Sequence, residues 1–398
     1  MWRCESDALG PFGMSFSVQQ QRDTEAKAER VMSREADLDA SSEQKALLQV
    51  QRLKTSVRDL VVKSMDPGQR EETREMLSQF SESGDKFVRQ AKEFDPRLKP
   101  EEIFQALRNV WIVNSMQVVL GLPICLNRSG LAYSLLYPYT DNYLDAPAAS
   151  EREKKDFNRA LARRLAGFPL TPSTDHAAKI SDLVEMIESE HPRGLFPDVY
   201  ESLLAIHRAQ ESSLRQGEGE DRCAQRDILR ISVEKGGSSV LADAYMAKGL
   251  LTPREADFAF GYGVFLQFID DLQDVCEDVR NSHRTLFTLA ATEGSLDGMA
   301  NRLVRFLNTV LDSSDLLSLP QAAALTELVR RSCCSLILES IALTSSLYSN
   351  DYVEAVERYS PVRFDCIRKL HREFRARQKH LRKVFRGKRL VHLAAACV

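Results

Sequence analysis

The sequence predicts an all-α protein built around one large helical core. Almost every segment after residue 45 carries apolar residues at the three- and four-residue spacing of an amphipathic helix. Short segments containing proline or glycine separate these helices, and we find no convincing alternating pattern of a strand. Strand–helix alternation and internal repeats are also missing from the sequence, which argues against α/β and repeat architectures.

The predicted elements follow one another with few long interruptions. Residues 1–45 are polar with little periodic apolar content, so we expect a largely disordered segment with a frayed helix near residues 23–39. Residues 46–95 predict N-terminal helices, and the strongly apolar stretch 103–120 predicts a central helix. Further helices are predicted at residues 127–137, 150–166, 176–190, 196–216, 222–235, 236–247, 253–278, 286–311, 319–348 and 351–388.

Composition excludes several classes of protein. The net charge of −3 gives no electrostatic case for nucleic-acid binding. The eight cysteines form no C-x-x-C pair, which favours reduced thiols. No window approaches the roughly 18 apolar residues of a spanning helix, and the N-terminus lacks the pattern of a signal peptide. We therefore expect a cytoplasmic protein.

The most informative motif is a stripe of carboxylates at the end of an apolar helix. Asp270, Asp274 and Asp278 are four residues apart, so a helix places all three on one face. Like charges at that spacing repel each other, and a magnesium ion bound by carboxylate oxygens would neutralise them. The alternative interpretation is a solvated helix end.

A second acidic cluster repeats this pattern earlier in the chain. Asp141 and Asp145 are also four residues apart and follow the apolar run 131–137. Two such helices facing each other could hold metal ions between them, as helical bundles commonly do. Each cluster alone is compatible with a solvated helix end, but together they favour a metal site.

Cations accompany the two acidic clusters. Arg230 and Lys235 precede the pair Gly236-Gly237, which indicates either a helix break or a close backbone approach. Arg280 and Arg284 follow the second cluster, where they could contact the oxygens of the same phosphate. Solvated cations on a packing helix remain the alternative.

These motifs resemble those of the class I isoprenoid synthases, which comprise trans-prenyl diphosphate synthases and class I terpene cyclases. The resemblance covers about residues 95–350. The first family motif, D-D-x-x-D, is matched by Asp141 and Asp145, with Asn142 in place of its second Asp. The stripe resembles the cyclase motif N/D-D-x-x-S-x-x-x-E, with Asp replacing both the Ser and the Glu. The loose prenyl-synthase motif G-x-x-x-Q-x-x-D-D-x-x-D is matched by Gly263, Gln267, Asp270, Asp271 and Asp274.

The resemblance implies a single isoprenoid-synthase-type helical bundle at residues 96–360 with a central active-site cavity. It further implies a prenyl diphosphate substrate, three Mg²⁺ ions with Mn²⁺ as a substitute, and a homodimer. Arg358 and Tyr359 match residues that close over the diphosphate in cyclases. Candidate aromatic walls of the cavity, for which plain core packing is the alternative, are Phe104, Trp111, Tyr133, Phe265 and Phe268.

The sequence favours a terpene cyclase over a chain-elongating synthase. Elongating synthases carry a basic G-K-x-x-R segment before the first motif and a lysine-rich segment after the second, and neither occurs here. A prenyltransferase remains the alternative, and so does a catalytically inactive helical relative that kept the fold.

The C-terminal region is strongly basic. Residues 361–398 form a basic helix and tail in the predicted domain division, with Leu370, Phe374, Leu381 and Phe385 at helical spacing within the basic stretch. A basic amphipathic helix can lie on an anionic membrane. The alternative is a solvated helix that packs one apolar stripe on the domain.

Overall fold

The described part of the chain is all-α, which confirms the predicted fold class. The computed structural model describes residues 2, 6–34, 55, 58–59, 61–144, 150–170, 172, 174–213, 216, 225–312 and 320–373, and these ranges contain no strand. The helices are α1 Val18–Arg34, α2 Arg70–Phe94, α3 Pro100–Val119, α4 Arg128–Leu144, α5 Glu151–Leu165, α6 Asp175–Glu190, α7 Pro197–Ser213, α8 Gln225–Lys248, α9 Pro253–Gln273, α10 Val275–Arg280, α11 Leu286–Glu293, α12 Asp297–Asp312, α13 Pro320–Leu343 and α14 Asn350–Glu357.

None of the helices in these ranges is long and apolar enough to cross a membrane.

Two clusters of buried apolar side chains form the core. One is centred on α9, α12 and α13, with Phe265, Phe268 and Leu307 almost inaccessible to solvent. The other lies among α3, α4, α6 and α7 and includes Leu135 and Leu183. Helices α3 and α8 contribute side chains to both clusters. These two helices therefore join the halves of the bundle, and the candidate site lies around them.

Helices α8 and α9 pack against each other through glycines. A Cβ atom on Gly236 would collide with the carbonyl oxygen of Gly263, and one on Gly263 would collide with the carbonyl oxygen of Gly236. A Cβ atom on Gly237 would likewise collide with the ring of Phe260. Helix α8 runs without interruption through both glycines, so the prediction of separate helices at 222–235 and 236–247 was wrong. Close backbone approach, one of the two interpretations of the pair, is the correct one.

Other helix boundaries also differ from the sequence prediction. The helix predicted at 286–311 is divided into α11 and α12, and the one predicted at 351–388 is interrupted where α14 ends at Glu357. Helix α4 continues past residue 137 to Leu144 with Pro138 inside it, so Asp141 lies within the helix. The segment predicted as one helix at 253–278 is divided at Asp274, where α9 ends and α10 begins. The Asp274 amide still donates to the Asp270 carbonyl at 2.9 Å, and the Asp278 amide to the Asp274 carbonyl at 2.8 Å. Asp270, Asp274 and Asp278 therefore remain one helical turn apart although α9 ends at this point.

The N-terminal segment is more ordered than its composition predicts. Helix α1 occupies Val18–Arg34 within the range predicted to be largely disordered. Its Gln21 side chain donates to the carbonyls of Glu357 and Ser360, both at 3.0 Å. Its Glu25 carboxylate accepts hydrogen bonds from Arg363, whose Nη2 lies 2.6 Å away. These partners are more than 300 residues distant in sequence, so local composition could not indicate them.

We expect Glu25→Gln to loosen α1, because Arg363 would lose its charged partner. Hydrogen bonds from Arg363 lower the pKa of Glu25, so this contribution to stability is present above the ordinary glutamate pKa of about 4.3. It is lost as the pH falls through the lower pKa of the folded state. The protection factors of the backbone amides over residues 18–34, which correct for the pH dependence of intrinsic exchange, should therefore fall in the variant at pH 7 and in the parent protein on acidification.

Glu29→Gln is the matched control on the same helix. Glu29 pairs with Lys369 at 2.8 Å, but both side chains are about half exposed, and such pairs add little to stability. Equal exchange in the two variants would contradict an anchoring role for Glu25.

The predicted basic C-terminal helix is described only at its start. Residues 364–373 are helical, and Phe364 is buried in the core. Arg368 donates to the Ala342 carbonyl at 3.0 Å, and Lys369 pairs with Glu29 of α1. Residues 374–398, which carry most of the basic stretch, lie outside the described residues. Contact with a membrane stays a prediction.

Candidate active site

The charges of both acidic motifs act on Tyr137. Tyr137 and Asp141 are one turn apart on α4, and their side chains are hydrogen-bonded. The pKa of Tyr137 is raised first by burial, then by the charge of Asp141 and, more weakly, by that of Asp270 on α9. One carboxylate of each predicted motif therefore influences the same phenol.

Arg108 joins this group from α3. Its Nη2 lies 3.4 Å from Oδ1 of Asp270, and both side chains remain accessible, at 59% and 50% of their surface respectively. The sequence analysis gave Arg108 no role, because it lies on a largely apolar helix outside both motifs. A lone cation on such a helix is the signal that could have indicated it.

Lys235 of α8 lies among the carboxylates of the second motif. Burial raises the pKa of Asp270, Asp271 and Asp278, and the charge of Lys235 opposes that rise. Burial lowers the pKa of His283, and the charge of Lys235 lowers it further. Lys235 and Arg108 therefore both contribute positive charge at Asp270.

The carboxylate stripe is only partly neutralised by these cations. The pKa of Asp274 is raised by burial and then by the charges of Asp270 and Glu277. The pKa of Asp278 is raised to about 6 by burial and then by Asp274 and Glu277. Adjacent carboxylates with raised pKa values are the electrostatic signature of a site that lacks positive charge.

Asp271 differs from the rest of the second motif because it is buried. Nε2 of Gln267 donates to it at 2.8 Å, and Oγ of Ser232 on α8 donates to it at 3.2 Å. Burial raises its pKa to about 7. The Ser232–Asp271 hydrogen bond therefore ties α8 to α9, while Gln267 holds the same carboxylate from within α9.

The other predicted cations are placed differently. Arg230 pairs with Asp227 at 3.6 Å and Glu234 at 3.3 Å on its own helix. Arg280 donates to the Cys276 carbonyl, and the backbone amide of Arg284 donates to the carbonyl of Gln216 at 3.1 Å.

Arg358 and Tyr359 contact the N-terminal segment. The Arg358 guanidinium donates to the Tyr359 hydroxyl at 2.9 Å, and the Tyr359 ring stacks on Phe12. The carbonyl of Arg358 accepts a hydrogen bond from the Phe16 amide. Diphosphate binding by Arg230, Arg280, Arg284, Arg358 and Tyr359 stays a prediction, and Asp145 lies outside the described residues.

An apolar cavity of about 50 Å³ lies directly behind Asp141. Tyr137 and Gln210 line it, and both contact Asp141, Gln210 through a 3.0 Å hydrogen bond from Nε2. The apolar wall comes from α4, α5 and α7 and consists of Leu136, Leu161, Leu165, Leu203 and Ile206. The acidic group and the cavity are therefore neighbouring parts of one region.

The candidate aromatic walls divide into two groups. Tyr133 lines the cavity and donates to the Ser239 carbonyl at 3.3 Å. Phe265 and Phe268 are fully buried in the core, where Phe268 packs against Trp2 and Phe306. The core-packing interpretation therefore holds for these two phenylalanines. Phe104 and Trp111 contact each other edge to face on α3.

A buried polar pair beside the cavity was missed by the sequence analysis. Asn109 lines the cavity, and its Nδ2 donates to Asp243 Oδ1 at 2.8 Å and to Ser134 Oγ at 3.2 Å. Asp243 is inaccessible to solvent, and burial raises its pKa well above the ordinary value. Burial therefore favours the neutral form of this carboxyl group. No motif indicates a single Asp on an apolar helix face.

The donor set fits magnesium in its chemistry but is not a complete cage. Carboxylate oxygens suit this ion, and the raised pKa values of Asp274 and Asp278 show acids in need of positive charge. Within the described ranges, however, no group of three His, Cys, Asp or Glu side chains is arranged to hold a metal ion. Magnesium is usually held by one or two carboxylates, with water and substrate phosphates completing its shell. The site therefore fits ions shared with a phosphate-bearing substrate.

No family model and no curated protein matches the sequence. Among solved structures, a polyprenyl synthetase from Streptomyces coelicolor A3(2) aligns with 81% of this chain over 98% of its own length. The sequence identity is 13% and the TM-score is 0.28. A likeness at this level identifies neither a family nor an activity, so the function is inferred from the residues and their geometry.

Proposed function

We propose that the protein is a class I terpene synthase, which ionises an allylic prenyl diphosphate and releases diphosphate to give a terpene hydrocarbon or alcohol. The observation that carries the proposal is that the charges of Asp141 and Asp270 both act on Tyr137, which lines an apolar cavity. Acidic side chains at the mouth of an apolar cavity suit a substrate with a charged head and a hydrocarbon tail.

The residues of this region would have two roles in ionisation, metal binding and stabilisation of negative charge. Asp141, Asp270, Asp274 and Asp278 would hold Mg²⁺ or Mn²⁺, with Asp145 as a further predicted ligand. The metal, when bound, stabilises the negative charge that develops on the departing diphosphate. Arg108 and Lys235 supply fixed positive charge next to Asp270, where they would contact the same oxygens.

The apolar cavity would receive the hydrocarbon chain. Its leucine and isoleucine side chains would exclude water from a carbocation formed there. At about 50 Å³ the cavity has room for only one or two water molecules, so its walls must separate when a prenyl chain binds. Tyr137, one third exposed, stands between the acidic group and this cavity.

Chain elongation is the alternative function, because both activities begin with the same ionisation. They differ in what captures the allylic cation: a double bond of the same molecule in a cyclase, and isopentenyl diphosphate in an elongating synthase. The absence of the two basic segments from the sequence favours the cyclase. An inactive relative is disfavoured by the shared placement of Asp141, Asp270, Lys235 and Arg108.

Substrate incubation tests the proposal. We expect diphosphate release and a hydrocarbon or alcohol product from geranyl, farnesyl or geranylgeranyl diphosphate alone, with release abolished when EDTA removes the metal. Product is identified by gas chromatography with mass spectrometry. Longer diphosphates that appear only with isopentenyl diphosphate would establish the alternative, and no release with any of the three substrates would contradict both.

A further inference from the structure

His207 of α7 is a buried histidine in the wall of the apolar cavity. Only 5% of its surface is accessible, and its Nε2 has no hydrogen-bond partner. The carboxylate of Glu211 lies near this nitrogen, with its Oε2 3.9 Å from Nε2, beyond hydrogen-bond distance. A buried polar atom without a partner costs free energy, so its retention in an apolar wall calls for a role.

The ring orientation leaves a lone pair on Nε2. The imidazole is hydrogen-bonded to the backbone of Asn158, and because Nε2 has no partner, this bond belongs to Nδ1. A carbonyl acceptor places the proton on Nδ1 and leaves Nε2 unprotonated. Burial lowers the pKa of His207, so the ring is neutral at pH 7. His207 is therefore a fixed base in the cavity wall.

Other polar side chains of the cavity are already committed to partners. Gln210 donates to Asp141, and Tyr137 is hydrogen-bonded to the same carboxylate. Tyr133 donates to the Ser239 carbonyl, and Asn109 to Asp243. His207 differs from these four residues because its Nε2 has a lone pair that no hydrogen bond occupies.

We propose that His207 is the terminating base of the reaction, taking a proton from the carbocation after diphosphate has left. This inference rests on the proposed function and deepens it. The electron pair of a C–H bond next to the cationic carbon becomes the new C=C π bond, and the released proton forms an N–H bond with the Nε2 lone pair. The positive charge passes from carbon to the imidazolium. When the alkene leaves, the imidazolium gives its proton to water.

The surroundings of His207 suit a transient imidazolium. The Glu211 carboxylate, one turn along α7, would stabilise the charge at 3.9 Å, whereas Arg208 opposes it. The ring is a weak base in this apolar setting, but a carbocation is a far stronger acid than an imidazolium. The cavity geometry therefore predicts an alkene, formed by loss of a proton on the His207 side of the bound chain.

Two substitutions at His207 test this role. His207→Phe removes both nitrogens and keeps the ring, while His207→Asn keeps a donor close to the Nδ1 position and is the smaller perturbation. His176→Phe is the matched control, because the Nε2 of His176 is also buried without a partner. His176 packs against Tyr143 and Phe157 instead of lining the cavity. Thermal melting confirms that each variant is folded.

Products are counted per diphosphate released. In both His207 variants we expect diphosphate release within a few fold of the parent, while the share of the parent's main alkene falls about tenfold or more. Other alkenes or a water-capture alcohol should replace it, and His176→Phe should keep the parent's products. An unchanged product distribution in a folded His207 variant would overturn the proposal.

The experiment distinguishes a failure of the His207 proposal from a failure of the proposed function. Loss of diphosphate release in both folded His207 variants, with the His176 control active, would place His207 before ionisation and reject the terminating role. No diphosphate release by the parent protein from any allylic diphosphate would reject the proposed function, and the role of His207 with it.

Discussion

Asp270→Asn should lower the rate of diphosphate release by about a thousandfold, the scale on which fixed charges act in a transition state. The substitution keeps the size of the side chain and removes a negative charge that faces Arg108, Lys235 and, through Tyr137, Asp141. Without that charge the site would hold magnesium more weakly. The measurement is the initial rate of diphosphate release across a magnesium titration.

A matched substitution on the same helix separates the charge effect from general damage. Asp257→Asn lies near the start of α9, where the side chain is exposed, and should leave the rate within about twofold because solvated surface charges contribute little. Asp141→Asn should reproduce the Asp270 result from the opposite helix. Diphosphate release at the parent rate in both the Asp141 and Asp270 variants would reject the proposed site.

Gly263→Ala should lower the free energy of unfolding by about 3 kcal/mol, at the upper end of what overpacking usually costs. The added Cβ would collide with the backbone carbonyl of Gly236, which cannot rotate away as a side chain could. Relief requires that α8 and α9 move apart, which would also separate Ser232 from Asp271 and displace Lys235 from Asp270. Activity should therefore fall together with stability.

Gly261→Ala is the internal control for this prediction. It lies two residues earlier on α9, and the nearest atom to its added Cβ would be a Val310 methyl at 3.5 Å, an ordinary contact. Because alanine is favoured over glycine in a helix by about 1 kcal/mol, this variant should be as stable as the parent or slightly more stable. Urea denaturation of both variants provides the comparison, and equal destabilisation would contradict the packing argument.

The part of the site that sequence could predict is the part encoded by spacing within one helix. Asp270, Asp274 and Asp278 share a face because four residues complete about one helical turn, and this holds wherever the helix lies. Lys235 was associated with the acidic motifs as a diphosphate-binding residue, which stays a prediction, and only the fold shows that its charge acts on Asp270 and Asp278. Arg108, Asp243 and His207 lie in no motif, because each acts through neighbours on other helices.

The fold also has features that the sequence predicts and features that it does not. Helical periodicity predicted the all-α class, because burial of one helix face imposes its period on the sequence. Helical periodicity wrongly predicted a helix break at Gly236. A glycine pair is compatible with both a break and a close backbone approach, and only the partner helix distinguishes the two. The sequence prediction failed again at Val18–Arg34, whose polar composition indicates disorder while Glu25 and Gln21 are held by residues 357–363.

The sequence by itself determined that this protein is helical and that it carries two acidic motifs, because helix period and carboxylate spacing are local properties of the chain. Tertiary structure alone decided that the charges of Asp141 and Asp270 both act on Tyr137, that Arg108 pairs with Asp270, and that His207 lines the cavity beside Tyr137. The physical reason is that contacts between helices depend on the packing of whole faces. No short segment of sequence records which faces will meet.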